Sequence, residues 1–600
     1  MKTISVCCGT GCSAKGSPAL AAAFRKRLEE TGGPASAVPV CEVKNTGCKG
    51  LCEDGPVVTI LPEGTAYFHV RPADVDEIIE RSVKKDEVIE RLLYKDEEKG
   101  RIRTLEENPF YTSQIKIALR NTGKIDPVSL EDYLAVGGYE ALKKALTMTP
   151  EQILDEMAES GLRGRGGAGF PAAVKWRTAA RYDNFPKYVA CNGDEGDPGA
   201  FMDGSIMDGD PHSVLEGMAI CALAIGAEQG FLYIRDEYIV AVRHIRQAIR
   251  DAEAAGILGD SILGTDKKLR LEVVRGGGAF VCGESTALMT SIEGRVGEPR
   301  AKYIRSVQKG LWGQPTVLNN VESFACVPYI IMHGGKKFAS VGTEGSKGTK
   351  AFSLVGKVRR TGLVEVAMGT TLRQMIYEIG GGIKGGRKFK AVQTGGPSGG
   401  CIPESMLDLP VDFDTLKKYG AMMGSGGMIV MDDRNCMVEV ARYYINFLCG
   451  ESCGKCTPCR EGLRQMQAIL TDICEGRGTM EDLDLLEALG EMMKDSALCA
   501  LGTSAPNPVL TTLKYFRDEY EAHILEHRCP AGVCPKLTTF VINPDTCRAC
   551  GACKKACPVG AVTGEKKVPH TIDSAKCIRC GSCREACRFD SVYTEGRDVE

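Results

Sequence analysis

The chain has no long apolar run, no apolar leader and no excess of charge. Nothing approaches the roughly 20 apolar residues a bilayer span needs. The start, Met1-Lys-Thr-Ile-Ser-Val-Cys-Cys-Gly9, lacks the apolar core of a secretory leader. With 75 Lys and Arg against 78 Asp and Glu, the net charge is −3. That balance argues against nucleic acid or an anionic membrane surface as partner. A cytoplasmic protein of several domains is expected from 600 residues. Against these absences stands one excess, 28 cysteines. In a reducing compartment they point to metal ligation in preference to disulfides.

The stretch that organises the chain is Gly161-Leu-Arg-Gly-Arg-Gly-Gly-Ala-Gly-Phe-Pro171, with five glycines in nine residues at 161, 164, 166, 167 and 169. Glycine frees the backbone for positive φ and lets a ligand approach where a Cβ would stand. Arg163, Arg165 and Lys175 bracket it with positive charge. A helix precedes it, signalled by the capping box Thr149-Pro-Glu-Gln152, and another follows from about Pro171. A glycine turn opening a helix beside cations suits a phosphate. The glycine spacing is read as differing from a Rossmann fingerprint, and no Lys-Ser/Thr pair closes the loop as in a P-loop. The plain alternative is a flexible surface turn.

Residues 1–90 read as a small α/β domain: a strand Thr3–Cys7, a helix Ser17–Glu30, and a hairpin of Pro56–Leu61 with Ala66–Val70. Its loops carry Cys7-x4-Cys12 and Cys48-x3-Cys52, four thiolates that suit a [2Fe–2S] centre. Cys8 rivals Cys7, a zinc ribbon is the alternative, and Cys41 is a spare thiol. The pattern resembles the thioredoxin-like [2Fe–2S] ferredoxins. Residues 91–145 are charged and irregular, and are expected to form a linker helix and an arm over the next domain.

The core is expected over 146–345. A short strand Lys187–Cys191 runs into Asn192-Gly-Asp194-Glu195-Gly-Asp197-Pro-Gly199. Three carboxylates in four positions call for donors such as sugar hydroxyls, a carboxamide or a flavin N–H; a divalent-cation loop is the alternative. A second strand, Leu269–Arg275, leads through Gly276-Gly-Gly to Gly283-Glu284-Ser285 and a helix to about Glu293. Later, Asn319 and Asn320 offer paired amides. Together these describe a pocket for a flavin nucleotide and a second nucleotide. Cys191, Cys221, Cys282 and Cys326 lack ligand spacing and read as core thiols.

These stretches resemble the FMN- and NADH-binding subunit of respiratory complex I and its soluble hydrogenase and formate dehydrogenase relatives, over roughly 110–510. The resemblance implies that Gly164 to Gly169 (Gly166, Gly167 and Arg165 among them), Lys175, Asn192, Asp194, Asn319 and Asn320 hold FMN. It implies that Glu195, Asp197, Gly283, Glu284 and Ser285 lie along the nicotinamide nucleotide, with Lys302 in the same site. Where much of the family has Lys-Pro-Pro-Phe-Pro, this chain has Lys302-Tyr-Ile-Arg305-Ser. Arg305 faces either a 2′-phosphate or a carboxylate, so NAD and NADP both stay open. Residues 346–434 resemble the family's β-grasp insertion, with strands Ala351–Val358 and Gly362–Val366 and a helix Leu372–Ile379.

Residues 435–520 read as a helical bundle. Cys453-x2-Cys456-x2-Cys459 with the remote Cys499 suits a [4Fe–4S] cluster. In 521–540, His523, Cys529 and Cys534, with Cys474 as a possible fourth ligand, suit a closed Cys3His zinc site. His527 competes there, and an unmetallated pair of thiols is the alternative. Residues 541–600 repeat internally: Cys547, Cys550, Cys553 and Cys557, then Cys577, Cys580, Cys583 and Cys587. In bacterial-type ferredoxins the fourth cysteine of each run serves the other cluster. Cys587 then completes the cluster of Cys547, Cys550 and Cys553, and Cys557 that of Cys577, Cys580 and Cys583.

The fold expected is thus a multidomain α/β chain: thioredoxin-like domain, FMN/NADH core, β-grasp insertion, [4Fe–4S] bundle and ferredoxin tail. The reading is a hydride-exchanging flavin feeding single electrons to clusters, with no catalytic acid, base or nucleophile required. The module set most resembles the β subunit of electron-bifurcating, NAD(P)-linked hydrogenases. That resemblance implies soluble ferredoxin, a small [2Fe–2S] subunit and a catalytic hydrogenase subunit as partners, since no hydrogen-activating cysteine or nickel pattern is present. A diaphorase subunit of a formate dehydrogenase, a ferredoxin:NAD(P) oxidoreductase and a non-catalytic electron relay are the alternatives.

Overall fold

The structure is a computed structural model that describes residues 2–31, 41–97, 99–301, 303 and 305–596, so Lys302 lies outside the described residues. The chain divides into two compact units. The first holds Met1–Gly386, Thr394–Gly396 and Ser405–Val430; the second holds Arg387–Gln393, Pro397–Glu404 and Met431–Glu600.

In the first unit, the strand Lys2–Cys7 lies parallel to Cys41–Thr46 and antiparallel to Val58–Leu61, which turns back through Thr65–Tyr67. Ile4 and Val6 alternate inward and are buried under Leu20, Ala21 and Phe24 of the helix Ser17–Thr31. This packing carries Cys7 to the strand's end and Cys48 and Cys52 to the loop after Thr46. In the segment that follows, short helices run over Leu130–Ala135 and Glu140–Leu146. Its charged start folds as a hairpin, Tyr94–Asp96 with Gly100–Ile102, and Asp96 forms an ion pair with Arg360 at 2.6 Å. The arm beyond is fixed by one carboxylate: Glu365 accepts the N–H groups of Ile117, Ala118 and Leu119 at 2.8–3.0 Å.

The core begins with helix α1 (Pro150–Ser160), whose capping box Thr149/Gln152 is formed and whose end is Gly161 at φ +60°. Helix α2 (Ala172–Ala180) follows the glycine loop. Four parallel strands come next: β1 (Tyr188–Gly193), β2 (Gln229–Arg235), β3 (Arg270–Gly276) and β4 (Thr316–Asn320). Helices α3 (Met202–Gly209), α4 (Ser285–Ile292) and α5 (Val321–His333) connect or follow them. β1 and β2 are almost wholly buried, as parallel strands covered on both faces are.

Sheet order is β4-β1-β2-β3. The chain steps outward from β1 to β3 and then returns to the far side of β1, with Asn320 opposite Asn192. That reversal opens a crevice at the carboxyl ends of β1 and β4, the place where open α/β sheets bind ligands.

Beyond the core, Thr349–Gly356 pairs with Gly362–Ala367 and lies parallel to Gly427–Val430. The expected helix there is loosened into wider turns over Gln374–Ile379. In the second unit, helices Met437–Glu451, Thr457–Cys474, Met480–Ser496, Asn507–Tyr515 and Arg517–Leu525 form the bundle. Leu463, Met466, Leu470 and Ile473 set one buried stripe at helical spacing. The tail pairs Thr538–Ile542 with Val592–Gly596 and Val562–Thr563 with Thr571–Ile572.

Candidate functional site

The glycine loop between α1 and α2 is built to bring backbone, not side chains, to the crevice. Gly169 has φ +63°, and a Cβ there would stand 2.6 Å from the Phe413 ring. Gly167, at φ +118°, packs against the main chain of Gly424, and a Cβ on Gly166 would press on Asn320. The glycines at 164, 166 and 169 do have G-x-G-x-x-G spacing. The element entering the loop is helix α1, however, so this is not the strand–turn–helix of a Rossmann unit.

The cations are used differently from the sequence expectation. Arg165 is fully buried and its guanidinium donates to the carbonyls of Arg163 and Lys347, 2.8 and 2.7 Å away. Arg163 donates to Gly169 O and Gly345 O and pairs with Asp414. Through these contacts both arginines brace the loop. Lys175 keeps spare donor capacity: its Nζ donates to Leu318 O at 3.1 Å, and burial pushes its amine down to about 8.

Three loops meet around the crevice. Asn192 donates from Nδ2 to Gly283 O and accepts the Asp194 N–H. Asn320 caps α5 through Glu322 N and donates to Asp203, while Asn319 turns its amide oxygen to Trp176 Nε1 at 2.8 Å. Asp194 is buried beside Gly283. The Asp197 carboxyl, pushed up to about 6 by burial, accepts the Ser425 hydroxyl. Glu284 is the N-cap of α4, accepting from Thr286 and Ala287, and Ser285 opens that helix.

Glu195, expected along the nicotinamide nucleotide, is buried in the same loop. Its carboxylate folds back to accept Met202 N, Gly204 N and the Tyr238 hydroxyl. Burial raises its pKa. Arg235 ties the same loops by donating to Glu195 O at 3.0 Å. Arg235, Tyr238, Asp203 and Ser425 had no motif to announce them. Arg305 lies over the Phe170 ring, 5.9 Å from its centroid.

The thiols group as follows. Cys7 interacts with Cys12 and Cys48, and Cys48 with Cys52. The Lys49 and Gly50 N–H groups point at Cys7 and Cys48 Sγ at 3.4 and 3.3 Å. Glycine also stands where a Cβ would crowd these sulfurs: one on Gly55 would lie 2.4 Å from Cys12 Sγ. Cys8 faces Ser17 instead, and burial lifts its thiol to about 11. In the bundle Cys459 senses Cys456, Cys499 and Cys453. In the tail, Cys547, Cys550 and Cys553 of the first run line one enclosure with Cys587 of the second. Cys583 senses Cys577 and Cys580, and Cys557 packs in the same small core as Cys583. Closely set thiols with backbone N–H groups aimed at sulfur fit iron–sulfur clusters.

A fourth ligand joins the zinc candidate, and it is the thiol of Cys436 in place of Cys474. Cys436, His523, Cys529 and Cys534 are all buried with ligand atoms within 4.8 Å of one another. His523 Nε2 is 3.4 Å from Cys436 Sγ and 3.3 Å from Cys534 Sγ, and the two sulfurs are 3.8 Å apart. A tetrahedral ion with bonds of about 2.3 Å to sulfur and about 2.0 Å to nitrogen gives edges of about 3.5–3.8 Å. His523 Nδ1 meets Glu519 O at 2.6 Å. That contact fixes the proton on Nδ1 and leaves Nε2 as the donor atom. Cys474 stands in an adjoining trio with Glu439 and Cys534. His527 is exposed and outside both groups.

Residues 157–329 match the Nuo51 FMN-binding domain family, and 439–523 match the NADH-ubiquinone oxidoreductase-F iron-sulfur binding region. Residues 1–82 match the thioredoxin-like [2Fe-2S] ferredoxins, 352–402 the SLBB domain, and 539–588 the 4Fe-4S dicluster domain. The chain is 51% identical to NADP-reducing hydrogenase subunit HndC of Solidesulfovibrio fructosivorans, over 80% of this chain and 98% of that one. It is 47% identical to an NADH-quinone oxidoreductase subunit of Rhizobium meliloti (strain 1021), over 69% and 99%. Among solved structures it resembles a chain of the NAD+-reducing [NiFe]-hydrogenase in the H2-reduced state. That match has 30% identity and a TM-score of 0.61, over 87% of this chain and 84% of that one. No helix among the described residues is long and apolar enough to cross a membrane.

Proposed function

Because the chain belongs to the family of FMN-binding, iron–sulfur oxidoreductase subunits that includes those of NADH-quinone oxidoreductase and NADP-reducing hydrogenase, we propose that it is the flavin-bearing subunit of an electron-bifurcating, NAD(P)-linked hydrogenase. The observation that carries this reading is the glycine-lined crevice at the ends of β1 and β4, in a chain that also carries five grouped sets of cysteine ligands. When bound, FMN supplies the conversion between hydride transfer and single-electron transfer.

The chain's own residues do the placing. The glycine loop admits the ligand's phosphate to backbone distance, and Lys175 meets its charge. Asn192, Asp194 and Asn320 hold the loops that frame the ring. Asp197, Gly283 and Ser285 border the nicotinamide nucleotide. No acid, base or nucleophile is needed for the hydride step. One [2Fe–2S] cluster belongs to Cys7, Cys12, Cys48 and Cys52. Three [4Fe–4S] clusters belong to the bundle set and the two crossed tail sets, and zinc to Cys436, His523, Cys529 and Cys534.

The hydrogenase assignment is supported by extent. The HndC relative aligns with 80% of the chain, whereas the quinone oxidoreductase relative aligns with 69%. A hydrogen-activating subunit, a small [2Fe–2S] subunit and soluble ferredoxin are the partners this reading requires. The test is anaerobic co-purification from the native host followed by hydrogen-driven assays. Hydrogen should reduce NAD(P)+ only when oxidised ferredoxin is reduced with it. Reduction of NAD(P)+ without ferredoxin overturns bifurcation, and a formate-oxidising partner overturns the hydrogenase assignment.

A further inference from the structure

The two cysteine runs of the tail repeat at a constant offset of 30 residues: 547 to 577, 550 to 580, 553 to 583 and 557 to 587. The same offset relates Gly551 to Gly581 and Phe540 to His570. Each of the latter pair covers one run. Phe540 Cζ stands 3.7 Å from the point a Cβ on Gly581 would occupy, inside Cys580–Cys583. His570 Nε2 stands 3.9 Å from the equivalent point on Gly551, inside Cys550–Cys553. The repeat is therefore symmetric in its sulfurs and asymmetric in the ring laid over them.

The His570 ring is in an unusual position for a polar group. It is only 3% exposed, and its Nδ1 is enclosed with no hydrogen-bond partner among the described residues. It is seated against Gly564, where a Cβ would stand 2.6 Å from its Cγ, so the ring has little room to turn away. It lines the same enclosure as Cys547, Cys550, Cys553 and Cys587. Burying an imidazole nitrogen without a partner carries a free-energy cost. An acceptor inside the enclosure removes that cost, and the sulfurs of an iron–sulfur cluster are such acceptors. Phe540, in the equivalent place, offers none.

We propose that His570 donates a ring N–H to the cluster held by Cys547, Cys550, Cys553 and Cys587, and that this sets the two tail clusters apart in potential. It acts as a positioning and tuning residue. A donor to cluster sulfur favours the more negative, reduced form, so the His570 cluster is the better electron acceptor and its twin under Phe540 the poorer one. The inference rests on the reading that these eight cysteines hold two [4Fe–4S] clusters.

The test uses the full chain, purified anaerobically with its clusters. Redox titration is followed by electron paramagnetic resonance, with 15N-histidine labelling to detect nitrogen coupled to a cluster. Wild type should show one [4Fe–4S] signal coupled to histidine nitrogen. His570→Phe should abolish that coupling and leave iron content unchanged. It should also lower one midpoint by about a tenfold change in the reduced-to-oxidised ratio, about 59 mV for one electron. Phe540→His should raise the other midpoint. Absence of histidine coupling in wild type, or an unchanged midpoint in an iron-replete His570→Phe protein, overturns the proposal. If Cys547→Ser leaves iron content unchanged, it is instead the underlying cluster assignment that fails, and the proposal with it.

Discussion

At the residue scale, the flavin crevice depends on side chains that are missing. Gly169 holds a positive φ and leaves no room for a Cβ beside Phe413. Gly169→Val should lower FMN occupancy about tenfold or more, in line with the ~1–3 kcal/mol such backbone strain costs. Flavin released by acid measures this, and iron content should stay at the wild-type level. Lys175 makes a pH-dependent prediction. Its amine is held at about 8 against 10.5 in an unfolded chain. Between those values the unfolded chain binds more protons than the flavin-free folded chain. This group therefore adds stability to the flavin-free protein as pH rises from about 8 to 10.5. Phosphate binding runs the other way and should weaken as pH climbs through 8. Lys175→Met should flatten both trends and weaken FMN about 10- to 100-fold, the value of a charge-assisted hydrogen bond. These glycines and Lys175 are plain in the sequence. The fate of Arg163 and Arg165 is not, because the carbonyls that hold them, Gly345 and Lys347, lie about 180 residues away.

At the element scale, local signals are legible and long-range partners are not. The capping box at Thr149, the strand ends at Asn192 and Asn320, and the cysteine runs all announce themselves within a few residues. Cys436 does not. It is a lone thiol at the N-cap of the first bundle helix, 87 residues from the imidazole it meets. Spacing rules find ligands that neighbour one another, and Cys474 is the nearer candidate within the same bundle. The two cysteines make opposite predictions. Cys436→Ser should lose the zinc, whereas Cys474→Ser should retain about one zinc per chain, as a closed four-ligand site requires. Metal analysis of the two purified variants decides between them. The Asp96–Arg360 pair beside the hairpin is hidden from local signals in the same way, since it spans 264 residues.

At the scale of the whole molecule, the matched families follow one another along the chain in the order the motifs foretell, from the thioredoxin-like [2Fe-2S] ferredoxin to the 4Fe-4S dicluster domain. The proposed groups amount to about 14 iron atoms, from one two-iron and three four-iron centres, with one FMN and one zinc. Chemical analysis of the anaerobic protein checks that inventory. The central claim concerns traffic between the groups, and one measurement reaches it directly. NADH or NADPH is added to the anaerobic full-length protein, and flavin absorbance and cluster paramagnetic signals are followed together, in wild type and in Gly169→Val. Wild type should bleach its flavin and develop reduced-cluster signals, while the variant, with its iron intact, develops neither. Cluster reduction by the nicotinamide in flavin-depleted Gly169→Val would contradict the account.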